Sequence, residues 1–261
     1  MKIDSLHIYP LKSAKGIAVQ TTEVKSIGFK YDRYFAILNS KKEVLTAREF
    51  PTLLKIKTQI KEDNLVLEYG ENRKSIPLND FLNPIEVAIF KEPASGKEAP
   101  VSINNWLSSI LEIDCSLIKI NTDNLRQTIH NAIAFCDAHP IHLITQESVN
   151  ALNKKLATAI EIDRFRANIV ISGLKPFEEH TIAKITIGQC EFVSVLKTER
   201  CTLITIDPKT GEKDKKQEPL RTLAKEFRTD KKVEMGIYLI PTKLGKIHVS
   251  DSITVEMKMK E

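Results

Sequence analysis

Short stretches in which apolar and polar residues alternate fill the first hundred positions of the chain. Leu6 and Ile8 alternate with polar neighbours and the pattern stops at Pro10. Residues 34–39 form an apolar run closed by the turn-like Asn39-Ser40-Lys41-Lys42. Leu53 to Ile60 alternates, and residues 64–69 form a short run ended by Gly70. A period of two between turn residues predicts strands, and several in succession predict a small sheet or barrel. Residues 91–100 contain two prolines, a glycine and several charges, which is linker chemistry and puts a boundary near residue 100.

Beyond that point the pattern mixes periods. Asn104 is placed to cap a helix carrying Trp106, Leu107, Ile110 and Leu111 on one face, and residues 115–120 read as a strand. Thr145 is placed to cap a helix with Val149, Leu152 and Leu156 aligned. Residues 167–172 read as a buried strand ending at Gly173, and residues 185–206 as consecutive strands turning at Gly188-Gln189. Pro219 suits the first position of a short helix bearing Leu220, Leu223 and Phe227, and residues 245–257 alternate again. The fold class expected is mainly β (α+β). It divides into a β-barrel-like domain over residues 1–100 and a second β domain with a few short helices over 101–261.

Composition narrows the possible functions. The chain has 261 residues, 42% hydrophobic and 28% charged, which is ordinary for a globular protein with a packed core. Its net charge of +5 arises from 39 basic and 34 acidic residues spread along the chain. Nucleic-acid binders concentrate their basic residues on one face, so no nucleic-acid partner is expected, while a basic cleft for an anionic cofactor fits. No apolar run approaches the roughly 18 residues of a membrane-spanning helix. The opening Met1-Lys2-Ile3-Asp4-Ser5 lacks the pattern of a signal peptide. The four cysteines, Cys115, Cys136, Cys190 and Cys201, form no C-x-x-C pair and have no histidines at zinc-like spacing. Together these features point to a reducing, cytoplasmic setting, away from membranes.

Cys201 is the first candidate for chemistry. It follows Lys197-Thr198-Glu199-Arg200 and precedes the turn Asp207-Pro208-Lys209-Thr210-Gly211. An arginine beside a thiol favours the thiolate, the form that attacks electrophiles and binds soft metals. A buried, inert cysteine in a strand is the competing reading. Lys12 and Ser13 lie just past a strand end, where a lysine and a hydroxyl suit a phosphate or simply a solvated turn. Arg33 could fork onto a phosphate, lie over a planar ring, or pair with Asp32. Arg164 and Arg166 share a face if their segment is extended. They then need either an anion between them or neutralisation by Asp163 or Glu161. The six histidines are scattered and read as surface or core filler, with His139-Pro140 alone in a suggestive loop.

Taken in order, these pieces resemble a known family. Ile8-Tyr9-Pro10-Leu11-Lys12-Ser13 with Gly16-Ile17, then Gly28 and Asp32-Arg33-Tyr34, then Leu45-Thr46-Ala47-Arg48 are similar to the opening motifs of a MOSC-associated N-terminal β-barrel domain. Residues 164–170 (Arg-Phe-Arg-Ala-Asn-Ile-Val), Arg200-Cys201, Asp207 to Gly211 and the closing Gly245 to Asp251 resemble the MOSC domain itself, the molybdenum cofactor sulfurase C-terminal domain. The chain looks like the two-part members, a group that includes the mitochondrial amidoxime-reducing components and their bacterial relatives. Departures occur at Ala167 (usually proline), Ser250 (usually glycine), Met235-Gly236 (usually aromatic-glycine) and the Cys136 to Pro140 loop.

The resemblance implies a molybdenum cofactor (Mo-molybdopterin) with Cys201 as the catalytic thiolate on the metal. It places Lys12, Ser13, Arg33, Arg166, Asn168 and Arg200 around the cofactor, with Thr145 in a loop where relatives supply hydroxyl contacts. The implied activity is an oxidoreductase acting on small N-hydroxylated substrates such as hydroxylamines, amidoximes and N-hydroxylated bases. Electrons would come from a separate ferredoxin- or flavoprotein-type donor, because the chain carries no cysteine cluster for an iron–sulfur centre. A cofactor or sulfur carrier without reductase activity, loading Cys201 as a persulfide, is the alternative.

Overall fold

A computed structural model describes residues 1–89, 92–229 and 231–259. Strands dominate it, accompanied among the described residues by three α-helices: α1 (Val101–Leu111), α2 (Gln146–Asn153) and α3 (Leu220–Glu226). The expected mainly β class with a few short helices is what the structure shows. Among the described residues no helix is long and apolar enough to cross a membrane.

The largest sheet has eight strands. Its order in space is Ile17–Val19, Lys2–Ile8, Ile169–Ser172, Ile141–Thr145, Glu234–Lys243, Cys190–Glu199, Ile182–Ile187 and Ile253–Met257. The first strand of the chain therefore pairs with residues 169–172, in antiparallel register Leu6↔Ile169. Ile141–Thr145 and Ile169–Ser172 run parallel, so the chain must cross between them, and α2 lies on that crossover. One face of this sheet buries Leu6, Leu143, Ile169, Phe192 and Leu239 with Phe29. Each such side chain contributes roughly 1.5–3 kcal/mol on leaving water, so the sheet is a stiff base for the loops at its ends.

A second lobe holds a four-stranded sheet ordered Phe35–Asn39, Cys115–Ile120, Glu92–Glu98, Asn83–Ile89, and a three-stranded meander of Lys57–Lys61, Asn64–Tyr69 and Asn72–Pro77. Helix α1 packs on it through Ile103, Leu107 and Leu111. Most strands fall where alternation put them; among the differences, the strands expected over residues 185–206 end at Glu199, and Thr202–Thr205 is a 3₁₀ turn. The stretch read as linker is strand from residue 92 to 98, paired on both edges; Lys91 lies outside the described residues. Cys115–Ile120, beyond residue 100, joins Phe35–Asn39 in one sheet. Leu53 and Leu54 sit in a 3₁₀ turn, Pro51–Lys55, started by its proline, and only Lys57–Lys61 is extended. Asn104 lies inside α1 rather than capping it, and its Oδ1 accepts a bond from the Leu117 N–H.

Candidate functional site

The segments that end or begin at one end of the large sheet build a cleft against loops of the second lobe. Strand Lys2–Ile8 runs into Tyr9–Ser13, and this turn is tied to the second lobe by backbone bonds. Arg33 N–H donates to Tyr9 O (2.8 Å), Phe35 N–H to Pro10 O (3.0 Å) and Lys12 N–H to Phe35 O (2.8 Å). On the next strand, Asn168 N–H donates to His142 O (2.8 Å), which sets residues 165–168 beside the start of Ile141–Thr145. Strand Cys190–Glu199 delivers Arg200 and Cys201 at its end, and Glu234–Lys243 contributes Tyr238. Ser13, Arg33 and Arg166 all adopt positive φ (68°, 53° and 54°). Non-glycine residues seldom do so, and such conformations gather where function over-determines the backbone.

Lys12, Ser13, Arg33, Arg166, Asn168, Arg200 and Cys201 all line this cleft, as do Arg48, Asp137, His139, His142 and Tyr238. Seven of the eight residues singled out from sequence are thus brought together. Thr145 is not. It is fully buried, its hydroxyl caps α2 by accepting from Ser148 N–H (3.2 Å), and it bonds Glu179 Oε2 at 3.0 Å. Glu179 is itself fully buried, and a carboxyl there needs hydroxyl donors, which Thr145 and Ser148 supply. The capping role read from the sequence is present, and Thr145 is not among the residues that line the cleft.

Arg164 and Arg166 also part company. Residues 162–165 form a 3₁₀ turn and Arg166 is left-handed, so the two do not share a face. Arg164 pairs with Asp207 (3.0 Å), not with Asp163 or Glu161. Asp207 in turn accepts the Lys209 N–H (2.8 Å) that shapes the 207–211 turn.

Charge around the cleft is unbalanced. Five cations, Lys12, Arg33, Arg48, Arg166 and Arg200, face two carboxylates, Asp137 and Glu199. The Lys12 ammonium donates to Phe135 O (2.8 Å) and pairs with Asp137. Burial pushes the Asp137 carboxyl up, but Lys12 outweighs it and holds the group below its ordinary range. Arg33 Nη1 donates to both oxygens of the buried Asp32 (2.7 and 2.6 Å) and to Asn168 Oδ1 (3.2 Å). Asn168 braces the site internally: its Nδ2 donates to His7 O (3.1 Å), and its Oδ1 also accepts the His142 N–H (3.1 Å).

Arg166 donates to Ala14 O (2.7 Å) and Arg200 to Phe165 O (3.0 Å); among the described residues neither is joined to a carboxylate. Burial lowers both, Arg166 to about 10. Arg200 Nε is buried without a partner. His142 is held well below its ordinary value by burial and then by Arg200 and Arg33. Arginine can only donate, so at 3.4 Å its Nη1 makes His142 Nε2 the acceptor of a neutral imidazole. Gly236, at φ +82°, leaves room for that ring: a Cβ would lie 2.5 Å from His142 Nε2.

Cys201 is exposed, whereas Cys115, Cys136 and Cys190 are buried, so the competing reading of Cys201 as packing is not what the structure shows. Cys136 also lines the cleft, but burial raises its thiol to about 11.

Sequence reasoning missed Tyr9, His142 and Tyr238 as individual contributors, and Asp137 and Arg48 beyond their place in motifs. One signal was available: a histidine interrupting the apolar run Ile141-His142-Leu143-Ile144 needs a polar partner.

Two family descriptions match the chain. "MOSC N-terminal beta barrel domain" covers residues 1–114 and "MOSC domain" covers residues 130–254. The mitochondrial amidoxime reducing component 2 of Rattus norvegicus is 30% identical over 96% of this chain and 82% of its own length. The mitochondrial amidoxime-reducing component 1 of Danio rerio is 29% identical over 96% and 83%. The molybdenum cofactor sulfurase of Oryza sativa subsp. japonica is 28% identical over 91% of this chain, which spans 32% of that protein.

Proposed function

The chain belongs to the MOSC family, with that family's N-terminal β-barrel domain at its start, and from that premise we propose that it is a molybdenum-cofactor-dependent oxidoreductase acting on N-hydroxylated compounds. The observation that carries the reading is Cys201, the exposed cysteine among the four described, which opens onto a cleft rich in cations.

The cleft residues fit such a group. Lys12, Ser13, Arg33 and Arg166 would hold its phosphate, and the unpartnered Nε of Arg200 calls for an acceptor in the cleft. Among the described residues no three His, Cys, Asp or Glu side chains cluster as a metal site, so a metal here would take Cys201 and bring its other ligands with it. A thiolate suits a soft metal centre. When bound, the cofactor supplies two-electron redox chemistry. The chain's own residues bind, orient and shield: Asp32 and Asn168 fix Arg33, Asp137 fixes Lys12, and neutral His142 with Tyr238 walls one side of the cleft. Removing oxygen from an N–OH group consumes two electrons and two protons and yields the corresponding N–H compound (an amine from a hydroxylamine, an amidine from an amidoxime) and water. The electrons are assigned to a separate ferredoxin- or flavoprotein-type donor.

The test is elemental analysis of the chain purified from a cofactor-competent host, followed by reduction of benzamidoxime with reduced viologen. Molybdenum in the parent and its loss in Cys201→Ala are expected; a parent without molybdenum overturns the reading. The exposure of Cys201 also suits a sulfur carrier. A persulfide at Cys201 in the mass spectrum, with no reduction of any N-hydroxylated compound by the metal-loaded protein, would favour carriage.

A further inference from the structure

Arg33 and Arg166 come from distant parts of the chain, yet Arg33 Nη2 reaches Arg166 O at 3.3 Å. Two half-buried guanidinium groups gathered at one cleft repel, and Arg33 disfavours the charge on Arg166. Hydrogen bonds fix each from its own side, Arg33 through Asp32 and Asn168 and Arg166 through Ala14 O, and one side chain is shared between them. Tyr9 lies against both. The Cζ of Arg33 is 4.3 Å and that of Arg166 4.4 Å from the centroid of its ring. The electron-rich ring attracts a cation at this distance, most strongly where water is excluded, and Tyr9 is buried.

The ring is itself fixed. Tyr9 N–H donates to Asp32 Oδ1 (2.8 Å), its carbonyl accepts the Arg33 N–H (2.8 Å), and its hydroxyl donates to Ala167 O (3.2 Å), beside Arg166. Burial raises the phenol to about 12, so the hydroxyl keeps the proton it donates. Gly16 packs on the ring edge, where a Cβ would stand 2.4 Å from Tyr9 Cε1.

We propose that Tyr9 is a positioning residue, whose ring holds the guanidinium groups of Arg33 and Arg166 together at the cleft so that both engage one anionic group. The inference rests on the function proposed above only for the identity of that anion.

The experiment uses the whole metal-free chain with ¹⁵N-labelled arginine, its resonances assigned through Arg33→Lys and Arg166→Lys, titrated with inorganic phosphate. In the parent and in Tyr9→Phe, the guanidinium resonances of both arginines are expected to be displaced upfield by the ring and to move together on titration. In Tyr9→Leu the displacement disappears and phosphate affinity falls about tenfold. Thermal melting of each variant separates this loss from unfolding. Gly16→Ala, which keeps the phenol but forces the ring aside, also weakens phosphate and decides the matter if Tyr9→Leu does not fold.

Four outcomes overturn the proposal: no ring displacement in the parent, no phosphate response in the parent, unchanged affinity in Tyr9→Leu or Gly16→Ala, or a loss in Tyr9→Phe equal to that in Tyr9→Leu. A parent that passes these tests but carries no molybdenum from a competent host supports the role of Tyr9 and sinks the cofactor reading alone.

Discussion

His180, which does not line the cleft, gives a sharp test of the electrostatics. Its ring packs edge-on against Phe177 at 5.9 Å between centroids, and its Nε2 is buried without a partner. Burial, and then the charges of Lys197 and Lys258, lower its pKa from 6.5 to about 4. Between those two values the unfolded chain binds a proton that the folded chain refuses, so stability rises with pH through this window. The contribution is complete above pH 6.5 and is lost as pH falls toward 4. At about 1.4 kcal/mol per pH unit for one proton, acidification from pH 7.5 to 4.5 costs roughly 2.5 kcal/mol through this residue. His180→Phe keeps an aromatic ring against Phe177 and cannot titrate. Urea unfolding followed by circular dichroism across this pH range should therefore show an acid-side decline smaller by roughly 2.5 kcal/mol in the variant. His7, His139 and His142 are also lowered by burial and keep a decline in both proteins. Parallel stability curves for parent and variant would refute the reasoning.

Cys201→Ser should unfold within about 0.5 kcal/mol of the parent in urea, because an exposed side chain leaves no cavity; a larger loss would mean that the thiol packs. Thr145→Val removes the cap of α2 and a donor to buried Glu179, and should cost about 1–3 kcal/mol in the same assay while molybdenum content stays at the parent level. Gly236→Ala places a methyl group at φ +82° against His142 and Leu143 O and should cost about 2 kcal/mol or more, with a displaced His142 ring visible by NMR.

The parts of this chain that could be read directly were those governed by local rules. Alternation located strand Asn64–Tyr69 and strand Cys115–Ile120 to the residue, and a hydroxyl before an apolar period located the start of α2. Ordered motifs gathered seven residues that do meet in one cleft. What escaped depends on distant partners. The strand Glu92–Glu98 has a linker's composition and is held by ladders on both sides, which no local pattern reports. Arg164 finds its carboxylate at Asp207, across the fold rather than next door. Tyr9 looks like an ordinary strand-end aromatic until two arginines from different lobes are seen against it.

Strand Lys2–Ile8 sits in the interior of the eight-stranded sheet, between Ile17–Val19 and Ile169–Ser172. Its partner Ile169–Ser172 lies far along the chain, so this ladder closes only after that later segment has formed. A fragment beginning after residue 100 would leave the edge of Ile169–Ser172 bare and prone to pair with another copy. The large sheet thus draws its strands from both sides of the second lobe's segment, and a piece without residues 2–8 would need that edge covered.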